Sequence, residues 1–194
     1  IVVTALFIPF CLLIAITPKS KKKAVFSSVS QFLSLFPGQT GSLIRKSVFR
    51  FSIIEKTETG VIGFGPIFSE PQSKIEENVY IGPQCNIGGC NIGKNSLIAS
   101  GVHILSGKNQ HNFDDLSKPI QQQGGVYSII DIGEDCWIGN TAVIMANVGK
   151  HSIIAAGSIV TKNIPEYSIA AGNPARVIRC RKSDSKIMVD SDEK

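Results

Sequence analysis

At 194 residues, 43% of them hydrophobic, the chain has room for one domain with a small appendage. Its net charge of +5 is unevenly placed: residues 1–50 hold Lys19, Lys21, Lys22, Lys23, Arg45, Lys46 and Arg50 and no acid, which leaves the remainder at −2. That distribution argues against a nucleic-acid-binding domain, whose basic stripe would lie on the folded surface, so no nucleic acid is expected as a partner.

Residues 1–17 carry no charge, and a helix there would be about 25 Å long, slightly short of a bilayer core. The lysines from Lys19 to Lys23 follow at once, and the positive-inside rule then places the rest of the chain in the cytoplasm. A cleaved signal peptide would carry its charges before the apolar run and a small-residue cleavage site after it. Pro9 makes a half-inserted anchor as good a reading as a full span. Residues 24–36 place Val25, Phe26, Val29, Phe32, Leu33 and Phe36 on one helical face, and Pro37-Gly38 ends that helix. From Leu43 to Phe51, apolar residues mix with Arg45, Lys46 and Arg50. Apolar faces beside cations suit the interface of an anionic membrane; the plainer alternative is amphipathic helices packed on the domain. Residues 1–51 are therefore expected to form a membrane-associated helical segment. Residues 52–74, broken by Gly60, Gly63, Gly65 and Pro66, read as early, imperfect coils that cap the open end of a repeat domain.

The repeat itself is six residues long. Ile75, Ile81 and Ile87 are evenly spaced, as are Ile92, Ile98 and Ile104, then Ile132, Ile138 and Ile144, then Val148, Ile154 and Val160. Gly or Ala usually follows the aliphatic residue, and the fifth place holds a small one: Val79, Cys85, Ser96, Val102, Cys136, Ala142, Ser152, Ser158. A helix repeats near 3.6 and a half-buried strand at two, so neither explains a period of six. A triangular parallel β-helix does, with one hexapeptide to each side. The steps from Ile87 to Ile92 and from Ile144 to Val148 are short, so two coils are expected to be trimmed. Residues 105–128 lose the register and form an extruded polar loop, an excursion of the kind that is usually functional. The coils resume at Ile132 and are expected to close near Ile164-Pro165, with residues 183–194 a mobile tail.

The five cysteines include no C-x-x-C, and no His lies at zinc-finger spacing, so no metal motif is present. An odd count without a disulfide framework fits a reducing compartment, and Cys85 and Cys136 read as small buried hydrophobes.

The repeats, the loop Ser106-Gly107-Lys108-Asn109-Gln110-His111-Asn112-Phe113-Asp114-Asp115 and the ending from Ala155 to Arg179, with Ala171-Gly172-Asn173-Pro174-Ala175-Arg176, together resemble the hexapeptide-repeat acyltransferases. The resemblance covers about residues 75 to 182. It implies a left-handed parallel β-helix over residues 52–182, a homotrimer with active sites between subunits, and O-acetyl transfer from acetyl-CoA. It also implies that His111 is the general base. An alcohol is a poor nucleophile at neutral pH, and an imidazole can take its proton as it attacks a thioester. Asp114 or Asp115 would orient the ring. By the same resemblance Asn140, Ala156, Thr161 and Lys162 would meet the pantetheine arm, and Arg176 and Arg179 the nucleotide end. Small side chains let the arm approach the backbone, and cations offset phosphate charge. His103 falls at an outward place of its coil, and His151 at a turn place.

The leading hydrophobic segment, with the resemblance to polysaccharide-modifying members, suggests a sugar acceptor held at the cytoplasmic face of a bacterial inner membrane, such as a lipid-linked sugar of a surface polysaccharide. The alternatives are a serine or free-sugar acetyltransferase, a non-catalytic β-helix scaffold, and a zinc enzyme of the carbonic anhydrase type. The last would need three histidines from neighbouring coils and adjacent subunits, and His103, His111 and His151 do not have that spacing.

Overall fold

The structure is a computed structural model that describes residues 2–54 and 60–182. The expected tail, residues 183–194, lies outside the described residues. Three helices come first: α1 (Val2–Ile16), α2 (Lys19–Ser34) and α3 (Gly38–Phe49). Short strands then visit three sheets in rotation. The first face holds β1 (Val61–Ile62), β4 (Tyr80–Ile81), β7 (Leu97–Ile98), β10 (Trp137–Ile138), β12 (Ile153–Ile154) and β14 (Ser168–Gly172), all parallel. The second holds β2 (Ile67–Phe68), β5 (Asn86–Ile87), β8 (His103–Ile104), β11 (Val143–Ile144) and β13 (Ile159–Val160), also parallel. The third holds β3 (Lys74–Ile75), β6 (Cys90–Ile92) and β9 (Ile130–Ile132), extended by single bridges at Ile54, Val148 and Ile164. Consecutive strands pass from face to face, and strands one turn apart pair in parallel, which makes the repeat domain a parallel β-helix.

Side-chain direction follows the period. Each two-residue strand points its second residue inward, and Ile81, Ile87, Ile92, Ile98, Ile138, Ile144 and Ile154 are fully buried. All eight small residues read at the fifth place are buried as well. Their hydroxyls stitch neighbouring turns together. Ser96 donates to the Gly133 carbonyl at 2.9 Å and accepts the Cys136 amide at 3.1 Å. Ser152 does the same with Pro165 and Ser168, at 2.9 and 3.1 Å. The glycine after the aliphatic residue is needed because the next turn passes over it: a Cβ on Gly139 would lie 2.5 Å from the Ala156 amide nitrogen.

Two of the three corners share one device. The residue before the fifth place takes a left-handed backbone, as at Asn78, Gln84, Asn95, Asp135, Thr141, His151 and Tyr167. Asn and Asp adopt that conformation most readily among residues with side chains. The corner between the second and third faces lacks it, and there every step departs from six. Ile87 to Ile92 and Ile144 to Val148 are trimmed as expected, and Val160 to Ile164 is a third short step. The excursion leaves from this corner too. Turns are therefore 17 residues long early (Ile81 to Ile98) and 16 late (Ile138 to Ile154).

Two expectations are corrected, while an early coil does precede the regular coils, with Ile54 paired to Ile75. The coils do not close at Ile164-Pro165: β14 adds another strand and turns back as β15 (Ala175–Cys180), antiparallel to it. Nor does the imperfect first coil cap the domain, because the helices do. α2 lies on β2 and α3 on β1, with Phe26, Phe49 and Phe68 fully buried together. The apolar face of α2, with Phe26, Val29 and Leu33 buried, is thus taken up by the first coil. Arg45 locks this cap. Its fully buried guanidinium donates to the Leu33 and Phe36 carbonyls at 2.9 and 2.7 Å, where α2 ends, and to the Ile62 carbonyl at 3.2 Å.

Candidate active site

Residues 105–129 leave the corner between the second and third faces as two limbs that pair with each other. The Ser128 amide donates to the Ser106 carbonyl at 2.9 Å, Val126 to Asn109 at 2.7 Å and Asn112 to Gly124 at 2.9 Å. Ser106 is buried at the foot, where its hydroxyl accepts the Gly89 amide at 2.8 Å. The limbs approach closely because Gly125 has no side chain; a Cβ there would lie 1.9 Å from the Gln110 carbonyl oxygen. At the tip, Gln123 donates to the Asp115 and Lys118 carbonyls at 2.8 and 2.9 Å and accepts the Asp115 amide at 3.0 Å.

His111 sits just beyond this Gly125 contact. It is exposed and has no hydrogen-bond partner among the described residues. Neither expected aspartate orients it. Asp115 accepts from the Ser117 amide at 3.0 Å and hydroxyl at 2.6 Å and pairs with Lys118 at 2.9 Å. Those bonds, the Ser117 hydroxyl first, hold its carboxyl below the usual range. Asp114 is exposed and makes no hydrogen bond among the described residues.

Beneath the excursion runs a groove of about 490 Å³. Gly107, Lys108 and Asn109 of the outgoing limb and Ser128 and Ile129 of the return limb form one side. Two trimmed corners, Met145 to Asn147 and Thr161 to Asn163, form the other. Asparagine side chains hold these corners: Asn147 accepts the Asp131 amide at 3.0 Å and Asn163 the Asn147 amide at 3.1 Å. Sequence reading missed Lys108, Asn147 and Asn163; the signal was an Asn just before the aliphatic residue at each four-residue step.

The other expected residues fall into groups. Thr161 and Lys162 line the groove. Asn140 and Ala156 meet one corner away, where the Asn140 carbonyl accepts the Gly157 amide at 2.8 Å. Arg176 and Arg179 are exposed on β15, opposite Ala171 and Ile169. One chain therefore gathers the excursion with Thr161 and Lys162 and keeps the other four apart from it. The remaining histidines are elsewhere, as their repeat places imply. His103 is exposed on the second face, paired with Asn86 and Val143. His151 has φ 58° at a corner, bonds Asp135 at 2.9 Å and stacks on Tyr167. Burial pushes the Cys85 thiol up to about 11 and that of Cys90 up to about 12, so neither is a nucleophile near neutral pH.

Comparison with known proteins agrees with this geometry. The family model described as bacterial transferase hexapeptide (six repeats) matches residues 72–106, and the hexapeptide repeat of succinyl-transferase matches residues 129–162. Both segments carry the hexapeptide repeat of bacterial acyltransferases. The galactoside O-acetyltransferase of Escherichia coli (strain K12) is 45% identical over 92 residues, which cover 45% of this chain and 42% of that protein. The chain thus spans less than half of this relative's length. A galactoside acetyltransferase solved in complex with coenzyme A superimposes with a TM-score of 0.58 at 25% identity, covering 86% of this chain and 84% of that one. A maltose O-acetyltransferase from Clostridium difficile 630 gives 0.66 at 22% identity, covering 83% and 89%, and so shares the fold. The two matched segments flank the excursion and leave its residues 107–128 uncovered.

Proposed function

We propose that the protein is an O-acetyltransferase that moves the acetyl group of acetyl-CoA to a sugar hydroxyl, with His111 as general base. The observation that carries this reading is an unpartnered imidazole on a rigidly paired excursion, raised from the rim of a groove that holds Lys108 and Lys162. The groove suits a long, thin, anionic substrate. Its lining includes Gly107 and Ala146, where an amide-bearing arm can reach the backbone, and two cations to meet phosphate. The imidazole of His111 takes the proton of the acceptor hydroxyl while the hydroxyl oxygen bonds to the thioester carbonyl carbon. The carbon–sulfur bond breaks, and the departing thiolate receives that proton from the imidazolium.

The site is proposed to be completed by a second subunit, in a homotrimer of left-handed coils. Two features support this. His111 is exposed with no hydrogen-bond partner among the described residues, and the first face carries an outward apolar ladder of Val61, Tyr80, Leu97 and Trp137 in register. An excursion that meets this ladder on a neighbour is a head-to-tail contact, which closes into a ring. In that ring Asn140, Ala156, Arg176 and Arg179 of one subunit are proposed to share the CoA with Thr161 and Lys162 of another. The acceptor is proposed to be a sugar of a bacterial surface polysaccharide or of its lipid-linked precursor, reached at the cytoplasmic face of the membrane. The test is thiol release from acetyl-CoA with and without a lipid-linked oligosaccharide pool, followed by mass analysis of the pool. Release that depends on the pool, with an acetyl group on its sugar, is expected. Release that responds only to serine or to free sugars would replace this acceptor class.

A further inference from the structure

Helix α1 buries only one side. Ile14 is buried, and Phe7, Phe10 and Cys11 on the same arc pack inward, with Phe10 stacked on Phe32 at 5.2 Å. The opposite arc is just as apolar and lies bare: Ile8 is 44% exposed, Leu12 55%, Leu13 45% and Ile16 76%. No charged residue occurs in the helix. A helix that is apolar on every side belongs inside a core or a membrane. The inner arc of α1 lies along α3 and α2, and among the described residues no helix is long and apolar enough to cross a membrane.

The next residues supply the charge. Lys19, Lys21 and Lys22 stand in the first turn of α2, have no ion pair among the described residues and share that turn with no acid. Cations at this end of a helix oppose its dipole, so an external anion relieves them. A second copy of the chain would bring the same lysines against these, and that like charge disfavours self-pairing through α1.

We propose that α1 lies flat in the boundary layer of an anionic phospholipid bilayer. Ile8, Leu12, Leu13 and Ile16 enter the acyl region, and Lys19, Lys21 and Lys22 meet the headgroups. This goes beyond the acyl-transfer reading and does not depend on it. It also locates the site. Lys23, the next lysine, lies 4.8 Å from the ring centre of Tyr127 on the return limb of the His111 excursion and pairs with Glu70. The docking face therefore borders the excursion, within reach of an acceptor held in the same bilayer.

The test is co-sedimentation of the full chain with phosphatidylcholine vesicles, with and without phosphatidylglycerol. Alongside the parent go two variants, Leu12→Ser with Ile16→Ser, and Lys21→Glu with Lys22→Glu. The parent is expected to bind only when phosphatidylglycerol is present. Each double variant should lose binding by at least about tenfold, as the loss of two inserted side chains or two headgroup contacts implies. Thiol release with a soluble sugar should be unchanged in both. Binding indifferent to phosphatidylglycerol, or to either variant, would overturn the proposal. So would a parent that self-associates through this face while the serine variant does not. If vesicle binding holds but no sugar accepts acetyl, the docking face stands and the catalytic reading falls.

Discussion

A buried Arg45 with only carbonyl oxygens around it shows how one residue can fix the join between two kinds of structure. It satisfies the last carbonyls of α2 and one carbonyl of the first coil, and burial pulls its guanidinium down from the ordinary value. Arg45→Met would leave the buried Ile62 carbonyl unpaired and strip the charged partner from the Leu33 and Phe36 carbonyls, at about 1–3 kcal/mol for each bond lost. We expect a loss of about 3 kcal/mol or more, seen as a melting temperature lower by about 6–12 °C. The cysteines give a second check. Cys85, Cys90 and Cys136 are buried in the coil and their thiols are raised by that burial, whereas Cys180 is exposed. A thiol reagent at neutral pH should label Cys180 rapidly in the folded protein and reach those three only after denaturation. The inward places of Cys85 and Cys136 are legible from the period, because side-chain direction in the coil is set by counting. Cys90 is not, since it owes its place to the five-residue step before Ile92. Arg45 is not legible either: one cation among several in an amphipathic stretch reads as surface.

At the level of elements, the corner between the second and third faces is where the regular coils vary, and two of its trimmed steps line the groove beneath the excursion. The hexapeptide fixes two corners through a left-handed residue. The third corner has no such residue, so its length can change without moving either neighbouring face. That is why the limits of the excursion are readable as a loss of register, while its internal pairing is not. The pairing rests on Gly125, an unremarkable glycine in a polar run. Gly125→Ala would drive a methyl group into the Gln110 carbonyl and displace His111. We expect turnover to fall by about 10²-fold, the effect of misplacing a reacting group by about an ångström. CoA affinity, measured by calorimetry, should stay as it was. The helices divide in the same way. Their existence is plain from the run of apolar residues, yet which faces would be covered is not, because a stripe that fits a membrane also fits the open end of a coil. The structure gives the α2 stripe to the coil and leaves the outer arc of α1 bare.

At the level of the molecule, one chain does not bring all of the expected site residues together. His111 has no partner, and two pairs of the expected CoA residues lie away from the groove. The outward ladder that ends in Trp137 is the surface against which we place the neighbour. Trp137→Asp should turn the proposed trimer into monomers in light scattering and lower turnover with it, because the neighbour's share of the proposed CoA site would be lost; a trimer that persists would move the interface elsewhere. The central claim is that the coil and its excursion exist to hold one imidazole over an acyl donor. The most direct measurement is thiol release from acetyl-CoA by His111→Ala, with CoA affinity determined on the same sample. We expect turnover to drop by about 10²–10⁴-fold, the usual contribution of a general base, with affinity retained. Turnover equal to the parent's with every acceptor tested would show that His111 is not the base.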